Sequence, residues 1–418
     1  MLINLIEWLT AQFGDFPGAR LFNFLSFRAG VAIIISLLIS MVSGGKIIAL
    51  LRKQQMGESV RDLGLAGQKQ KEGTPTMGGI IIILAIMVPC LLVAKLSNIY
   101  LITMLIATIW MALIGFVDDY LKIKRKNKDG LAGRFKILGQ VGLGIFISLI
   151  MLFNEQVVVR MNPLIAEQSG ITDEQRVSDI TTVTLANNRK EQRANYRTQL
   201  TNIPFFKGNL VNYETLFGLG RQLSWLLFIP LIVFIITAIS NAANLTDGLD
   251  GLATGVSAIS AGVLTVFAYV GSNAIIANYL GILHLPGTEE LVIFSACLVG
   301  ACLGFLWHNS FPAAVFMGDT GSLALGGVIA SLAVLLRKEW LLPILCGIFV
   351  AENLSVVLQV TYFKYTKRKY GEGKRIFLMS PLHHHYQKKG MSEVKIVTRF
   401  WIVALLLAVA TVLTLKLR

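Results

Sequence analysis

Acidic and histidine side chains are concentrated in four short motifs of a chain that is otherwise mostly apolar. The motifs are the Asp118-Asp119 pair in GFVDDYLK, residues 241–253 (NAANLTDGLDGLA), residues 316–322 (FMGDTGS) and residues 379–390 (MSPLHHHYQKKG). At the centre of a membrane-spanning helix, a charged group is disfavoured by roughly 3 kcal/mol or more. If the chain crosses a membrane, these residues are therefore the first candidates for chemistry.

Two of the motifs offer carboxylates that suit a divalent cation. Adjacent carboxylates at a helix end, such as Asp118 and Asp119, can bind Mg²⁺ or accept a proton. Neighbours on a helix point about 100° apart, so we expect the two to have different roles. Asp319 stands among glycines and hydroxyl residues, which predicts a magnesium ligand at a helix start that also suits phosphate. The structural alternatives are a solvated helix end for the pair and a helix N-cap for Asp319.

A second polar motif repeats its side chains at intervals of three. Asn241, Asn244, Asp247 and Asp250 would line one face of a helical turn at this spacing. Gly248 would let a ligand approach the backbone closely. The structural alternative is a capped turn between two spans, since Asp-Gly pairs are ordinary turn residues.

The histidine run predicts phosphate contacts rather than a zinc site. His383, His384 and His385 are consecutive, so their side chains diverge and cannot all bind one metal, whereas zinc sites use spaced ligands. We expect them to donate to phosphate oxygens, with one of them holding the loop. The isolated His284 and His308 are expected to be structural.

Two lysines add positive charge near the predicted phosphate site. QKEGTPTMGG (residues 70–79) carries Lys71 and the hydroxyl of Thr76 just before an apolar run, which suits the rim of a phosphate site. Lys122 follows Asp118 by one helical turn and could offset the charge of a bound phosphate.

Composition predicts a polytopic membrane protein. The chain has 418 residues, of which 54% are hydrophobic and 15% charged, and its mean hydropathy is +0.65. A net charge of +14 would indicate nucleic-acid binding in a soluble protein. In a membrane protein, basic loops at the cytoplasmic surface explain this charge, so no nucleic-acid partner is expected. The four cysteines lie in apolar runs and are expected to be packing residues.

About ten apolar runs approach the ~20 residues that a spanning helix needs. They lie at about 22–43, 77–94, 99–117, 138–153, 225–240, 251–272, 291–306, 321–336, 340–362 and 397–415. The sequence thus predicts an all-α membrane protein of about ten transmembrane helices, forming a single membrane domain over residues 1–418.

Basic loops set the predicted orientation. Residues 52–76, 118–136 and 364–395 carry five, seven and nine Lys or Arg, whereas residues 273–290 carry none. The positive-inside rule then places the basic loops in the cytoplasm and both termini in the periplasm. All four motifs fall on the cytoplasmic face.

A polar insertion interrupts the helical pattern at about residues 154–224. It has eight Lys or Arg against seven Asp or Glu and would lie in the periplasm. Long loops are translocated largely regardless of charge, so this placement agrees with the rule. We expect partial structure there and no chemistry.

Taken together, the motifs resemble those of the phospho-N-acetylmuramoyl-pentapeptide transferases, within the polyprenyl-phosphate N-acetylhexosamine-1-phosphate transferase superfamily. GTPTMGG, DDYLK, NLTDGLDGLA, MGDTGS and SPLHHHY stand in family order along nearly the whole chain. The triple histidine after Pro381 separates this family from its sugar-transferring relatives. Two departures are Gln387, where the family commonly has Glu, and the unusually long insertion.

The resemblance implies a homodimeric enzyme of the bacterial inner membrane with a cytoplasmic active site. It implies Mg²⁺-dependent transfer of phospho-MurNAc-pentapeptide from UDP-MurNAc-pentapeptide to undecaprenyl phosphate, giving lipid I and UMP. The catalytic residues implied are Asp118, Asp119, Asp319, His383 and His384, with Asp319 and Asp119 as metal ligands. The substrate-binding residues implied are Lys71, Thr76, Lys122, Lys136, Asn241, Asn244, Asp247, Gly248, Asp250, Asn309, Phe316 (against uracil) and His385.

Two other functions remain open at this point. A related polyprenyl-phosphate HexNAc-1-phosphate transferase would lack the histidine run. An anion transporter would place its ionisable residues near the bilayer midplane within repeats, and the sequence has no evident repeat. For the transferase, one-step attack by the lipid phosphate is favoured over a covalent Asp intermediate, because a phosphate monoester is mostly a dianion at neutral pH.

Overall fold

Helices dominate the computed structural model, which describes residues 2–13, 18–54, 71, 73–125, 130–184, 190–204, 210–218 and 220–416. In chain order the helices are α1 (Leu2–Phe13), α2 (Leu25–Lys53), α3 (Gly79–Val93), α4 (Ile99–Arg125), α5 (Gly133–Phe153), α6 (Pro163–Gln168), α7 (Gly220–Leu223), α8 (Trp225–Thr246), α9 (Leu252–Ser272), α10 (Ala274–Leu280), α11 (Glu289–Asn309), α12 (Gly318–Leu335), α13 (Leu342–Leu345), α14 (Gly347–Tyr370), α15 (Leu382–Lys388) and α16 (Glu393–Leu413).

Each of the ten predicted apolar segments coincides with a helix. Within the described residues, eight helices are long and apolar enough to cross a membrane, namely α2, α4, α5, α8, α9, α11, α12 and α16. A ninth candidate is the pair Glu339–Leu345 and Gly347–Tyr370, which is bent by 78°. The tenth segment is α3, an apolar helix of 15 residues. The predicted all-α membrane architecture is therefore confirmed.

Helix α12 is the most enclosed of these helices and packs against α3, α4, α8 and α9. Two glycines make this close packing geometrically feasible. A Cβ atom at Gly326 would lie 2.7 Å from the carbonyl oxygen of Ile239 in α8, and one at Gly327 would lie 2.8 Å from Cγ of Met111 in α4. The apolar faces buried here form one continuous hydrophobic cluster through the bundle.

The chain alternates in direction from one long helix to the next, so the motifs gather at one end of the bundle. Helices α4, α8 and α11 end there, and α5, α12 and α16 begin there. The segment before α3 pairs with the segment before α12, since the backbone N–H of Gly78 donates to Phe316 and that of Gly79 donates to Met317, each at 2.8 Å. Of the basic residues counted in residues 118–136, Lys126 and Lys128 lie outside the described part of the chain.

The polar insertion packs at the other end of the bundle and has more regular structure than the sequence predicted. Its strands are β1 (Val159–Met161), β2 (Thr181–Thr184), β3 (Lys190–Tyr196), β4 (Leu200–Asn202) and β5 (Leu210–Asn212). They form an antiparallel sheet of order β1-β3-β2 and an antiparallel β4-β5 pair.

Hydrogen bonds attach this insertion to the turn that follows α12. The hydroxyl of Thr201 donates to the carbonyl oxygen of Arg337 at 3.2 Å, and the hydroxyl of Tyr213 donates to the Glu339 carboxylate at 2.9 Å. Because Asp319 lies at the start of α12 and Arg337 just after its end, the 18-residue helix separates the insertion from the acidic motif by about 27 Å.

Candidate active site

Three carboxylates meet where the end of α4 approaches the start of α12. Ligand oxygens of Asp118, Asp119 and Asp319 lie within 4.8 Å of one another. Asp118 and Asp119 are buried, whereas the side chain of Asp319 keeps 14% of its surface exposed. Because three close carboxylates repel one another, the cluster requires cations beside it.

Asp119 fixes the start of α12. Its carboxylate accepts hydrogen bonds from the backbone N–H of Asp319 at 3.1 Å, the backbone N–H of Thr320 at 2.9 Å and the hydroxyl of Thr320 at 2.7 Å. Nζ of Lys122 also lies 3.8 Å from Oδ1 of Asp119, so this carboxylate has a cation beside it as well as the three donors. The sequence allowed Asp319 to be the N-cap of its own helix. In the structure it is Asp119 that caps α12, the helix on which Asp319 lies.

Asp118 has different partners from Asp119, in agreement with their spacing on the helix. Nζ of Lys122 lies 2.6 Å from its carboxylate, Nζ of Lys136 lies 2.9 Å away, and the backbone N–H of Leu131 donates to it at 2.7 Å. The same two lysines reach Asp319, at 3.2 Å and 2.6 Å respectively. When all three carboxylates are ionised, three negative charges and two positive charges leave the cluster with an excess of one negative charge.

Glycines allow the two helices to approach this closely. A Cβ atom at Gly115 in α4 would collide with the carbonyl oxygen of Asp319. Gly318 has φ +70°, a backbone conformation that other residues rarely adopt, and a Cβ there would lie 2.6 Å from Oδ2 of Asp119. The FMGDTGS motif therefore needs its first glycine for both conformation and space.

The asparagines of the NAANLTDGLDGLA motif have separate positions in the structure. Asn244 donates to Asp319 at 2.9 Å and to the hydroxyl of Ser322 at 2.8 Å, so it belongs to the acidic cluster. Asn241 lies one helical turn earlier and donates to Gln140 at 2.9 Å.

The prediction that all four polar residues of this motif share one helical face was wrong for Asp247 and Asp250. Helix α8 ends at Thr246, and α9 begins at Leu252 after Gly251, whose φ is +77°. The glycines therefore break the helix between the two halves of the motif. Asp247 follows the last residue of α8 as its C-cap, and Asp250 faces a different set of partners.

Lys71 is held between two carboxylates. Its Nζ lies 2.6 Å from Asp250 and 2.5 Å from Glu393, the first residue of α16. The Glu393 carboxylate also accepts the backbone N–H of Asp250 at 2.8 Å. The ring of Phe316 completes this group, with its centroid 5.9 Å from Nζ of Lys71.

Two further predicted residues brace the same region. The side chain of Asn309 accepts from the backbone N–H of Gly251 and the hydroxyl of Thr254, each at 3.1 Å, and donates to Val315 at 2.9 Å. Thr76 is buried, and its hydroxyl oxygen lies 3.0 Å from where a Cβ of Gly318 would be.

His383 is enclosed between α14 and the loop after α8. Its Nδ1 lies 3.2 Å from the Glu352 carboxylate, and Nε2 is buried with no hydrogen-bond partner among the described residues. A Cβ atom at Gly248 would collide with this Nε2 atom. The structure thus brings the histidine run against the NAANLTDGLDGLA motif.

The other two histidines have different surroundings. The ring of His384 lies 4.2 Å from that of His383, and its Nδ1 lies 2.8 Å from Oε1 of Gln387. Burial, followed by the charges of His383 and Lys71, lowers the pKa of His384 to about 4. Nδ1 of His385 accepts the backbone N–H of Leu378 at 3.1 Å, which makes His385 the histidine that holds the loop.

His284 and His308 lie outside this group of residues. Nε2 of His284 lies 3.3 Å from the carbonyl oxygen of Ser272, and Nε2 of His308 lies 3.1 Å from that of Met41. Both contacts are structural, as the sequence predicted. The four cysteines are buried and free.

Comparison with known proteins gives the family. Residues 195–337 match the model of glycosyl transferase family 4, and residues 71–83 match signature 1 of the phospho-N-acetylmuramoyl-pentapeptide-transferases. The phospho-N-acetylmuramoyl-pentapeptide-transferase of Flavobacterium psychrophilum is 54% identical over all of both chains. Proteins of the same name from Flavobacterium johnsoniae and Porphyromonas gingivalis are 53% and 48% identical, again over all of both chains.

The chain belongs to the phospho-N-acetylmuramoyl-pentapeptide-transferase family. The resemblance carried by its motifs is thereby confirmed, and its candidate spans fit a multi-pass membrane enzyme of bacteria.

For a transferase of this family, the acidic cluster is suited to a divalent cation. Mg²⁺ prefers carboxylate oxygens, and Asp118, Asp119 and Asp319 offer them within one small region. The ammonium groups of Lys122 and Lys136 now lie between these carboxylates and offset their charge. The donor set and the excess negative charge therefore fit a hard cation.

A cleft opens beside the cluster on the α4–α5 side of the transferase. It has a volume of about 640 Å³, and its lining includes Asp118, Lys122, Arg125, Phe135 and Lys136. Three cations and an aromatic ring next to a buried carboxylate suit a phosphate attached to an apolar chain.

Two site residues of the transferase escaped the motif analysis. Glu393 pairs with Lys71 across 322 residues of chain, and Glu352 bonds His383 across 31 residues. Their only sequence signal is a carboxylate at the edge of, or within, an apolar run.

Proposed function

We propose that this enzyme transfers phospho-MurNAc-pentapeptide from UDP-MurNAc-pentapeptide to undecaprenyl phosphate, giving lipid I and UMP. The observation that carries the proposal is the convergence of the acidic, lysine and histidine motifs at one end of the bundle, in a chain of this family. The reaction joins two anionic phosphates, so it needs cationic groups that offset their repulsion.

Mg²⁺ is the proposed cofactor, with Asp319 and Asp119 as its protein ligands and Asp118 beside them. When bound, the cation supplies Lewis-acid stabilisation of the negative charge on the pyrophosphate. Support comes from the three carboxylates, whose oxygens lie within 4.8 Å of one another.

The lipid phosphate is proposed to enter the cleft beside Asp118. Lys122, Arg125 and Lys136 line that cleft and can neutralise and orient the phosphate. Since the phosphate is mostly a dianion, it attacks directly and Asp118 is not the nucleophile. Lipid-free enzyme incubated with the UDP substrate should release no stoichiometric UMP, and release with label retained on an Asp would contradict the one-step mechanism.

The nucleotide is proposed to bind on the other side of the cluster. Phe316 offers a ring for uracil, and Lys71 lies above that ring. Thr76, Asn241, Asn244, Asp247, Gly248, Asp250 and Asn309 belong to the same proposed surface. His383 and His384 are proposed to contact substrate phosphates, while His385 orders their loop.

We also propose a cellular location, an oligomeric state and a membrane orientation for the enzyme. We place it in the bacterial inner membrane as a homodimer, with the site facing the cytoplasm, both termini and the insertion in the periplasm, and one membrane domain over residues 1–418. The basic residues near the site support this orientation.

The experiment that separates this function from a HexNAc-1-phosphate transferase is a substrate comparison. Purified enzyme receives undecaprenyl phosphate, Mg²⁺ and either UDP-MurNAc-pentapeptide or UDP-GlcNAc, and the lipid-linked product is quantified by mass spectrometry. We expect product from the first donor alone. Product from UDP-GlcNAc at a comparable rate, or from neither donor, would contradict the proposal.

A further inference from the structure

Helix α14 carries a row of buried polar residues at seven-residue spacing. Glu352, Gln359 and Thr366 are all buried, whereas the residues next to Gln359 and Thr366 are exposed. Residues seven apart lie two helical turns and about 10.5 Å apart on the same face. This spacing aligns three side-chain acceptors along one side of α14.

The chain that returns after α14 binds this row through its backbone. The hydroxyl of Thr366 accepts the N–H of Lys374 at 2.8 Å. Oε1 of Gln359 accepts the N–H groups of Ile376 and Phe377, at 3.0 Å and 2.9 Å. The row therefore holds the returning segment in one register from Lys374 towards the histidine run.

Glu352 is the last member of the row and makes two contacts with one histidine. Its Oε1 accepts the backbone N–H of His383 at 3.1 Å, near the start of α15, and its Oε2 lies 3.2 Å from Nδ1 of the same residue. Both side chains are 1% exposed. An ionised carboxylate only accepts, so Nδ1 carries the proton in this contact.

The contact leaves Nε2 as the ring atom that faces Gly248, in the loop after α8. No described residue is a hydrogen-bond partner of this buried atom, and a Cβ atom at Gly248 would collide with it. When the imidazole is charged, both nitrogens are donors, so Glu352 takes one N–H and the other remains for an oxygen of the substrate.

We infer that Glu352 is a positioning residue that keeps a proton on Nδ1 of His383 and fixes the orientation of its ring, so that Nε2 of the charged ring donates to a phosphate oxygen of the substrate beside Gly248. The role in turnover rests on the proposed transferase function, whereas the proton on Nδ1 does not depend on it. Glu352 acts through His383 and does not itself touch the substrate.

The kinetic test compares single and double variants. Glu352→Gln keeps the shape but replaces one of the two acceptor oxygens with a donor NH2 group, and it should lower kcat by about 10–100-fold with a smaller effect on KM. In a His383→Ala background, Glu352→Gln should cause no further loss, since its effect passes through the ring. Glu352→Asp, which keeps the charge, should give a kcat between those of wild type and Glu352→Gln.

Thr366→Val is the matched control, because it removes an acceptor from the same row that holds only the loop. Its kcat should stay near that of wild type. A Glu352→Gln enzyme with wild-type kcat, or a double variant whose losses multiply, would overturn the inference.

A second readout is independent of turnover. In protein labelled with ¹⁵N-histidine, the His383 signal, identified by its loss in His383→Ala, should show a protonated Nδ1 that is lost in Glu352→Gln. An Nε2-protonated neutral ring in the wild type would overturn the inference even if transfer is normal. If the wild type shows the expected proton on Nδ1 but no transfer, the proposed function fails and the positioning by Glu352 stands.

Discussion

Asp319 is where three of the four polar motifs meet through direct contacts. Its carboxylate is bonded by Lys136 and Asn244, and Lys122 lies 3.2 Å away. Asp119 binds the backbone on which Asp319 stands. Three helices, α4, α5 and α8, thus place groups around a carboxylate of α12, and this arrangement makes its removal the most informative single change.

Asp319→Ala should lower kcat on the order of 10³-fold or more, because it removes a proposed cation ligand and the partner of two lysines. Asp118 can still pair with both lysines, so the folded state should persist. UMP release over a Mg²⁺ titration and thermal unfolding in detergent measure the two effects. Near-normal turnover at ordinary Mg²⁺ concentrations would exclude Asp319 as a ligand.

His384 should remain neutral at physiological pH. Burial and the nearby His383 and Lys71 lower its pKa to about 4, below the ordinary value near 6.5. The unfolded chain therefore binds a proton at this site more readily than the folded protein as pH falls from about 6.5 to 4, which destabilises the fold over that window. A ¹⁵N-histidine titration should show no protonation of His384 above about pH 5, and a midpoint near 6.5 would contradict this.

At the scale of elements, the contact between the loop after α8 and α15 depends on one glycine. Gly248→Ala should push the His383 ring away from its position, since the added Cβ would collide with Nε2. A displacement of about 1 Å at a reacting site can cost 100-fold in rate. Gly45→Ala in α2 is the matched control, because nothing lies within 4 Å of its added Cβ. Equal activity of the two variants would contradict the contact.

The sequence predicted the helices and the candidate carboxylates, because apolar length and charge are local properties. All ten apolar runs coincide with helical segments, and the three carboxylates that meet, Asp118, Asp119 and Asp319, belong to the predicted polar motifs. The predicted helical face was wrong for Asp247 and Asp250, because the chain leaves the helical conformation in the loop that ends at Gly251, whose φ is positive. The spacing of the polar residues does not show this loop.

Contacts between residues that lie far apart in the chain could not be predicted from the motifs. Glu352, Gln359 and Thr366 recur every seven residues in α14, and this spacing is the sequence signal for Glu352. The spacing does not reveal its partner, because the segment 374–383 that binds the row follows in a separate part of the chain. Glu393 gave no comparable pattern, because its partners Lys71 and Asp250 lie far away in the chain.

At the scale of the whole molecule, the site and the polar insertion occupy opposite ends of the helical bundle. The insertion has its own small apolar core, which includes Leu283 and Leu285 from the loop before α11. Charged groups at both ends and apolar helices between them are the arrangement that a bilayer favours.

Cysteine labelling in intact bacteria tests the orientation. Glu167→Cys in the insertion and Lys389→Cys after the histidine run are both at exposed positions, and the four native cysteines are buried. A membrane-impermeant maleimide should label position 167 in intact cells and position 389 only after permeabilisation. The reverse pattern would place the site on the periplasmic face.

The central claim is that this site transfers a phosphosugar from a nucleotide to a lipid phosphate. The most direct measurement is UMP release from UDP-MurNAc-pentapeptide by the purified protein, with Mg²⁺ and undecaprenyl phosphate each present or withheld. The account predicts multiple-turnover release only when both are present, together with equimolar lipid I. Sustained UMP release without the lipid phosphate, or none with both present, would contradict it.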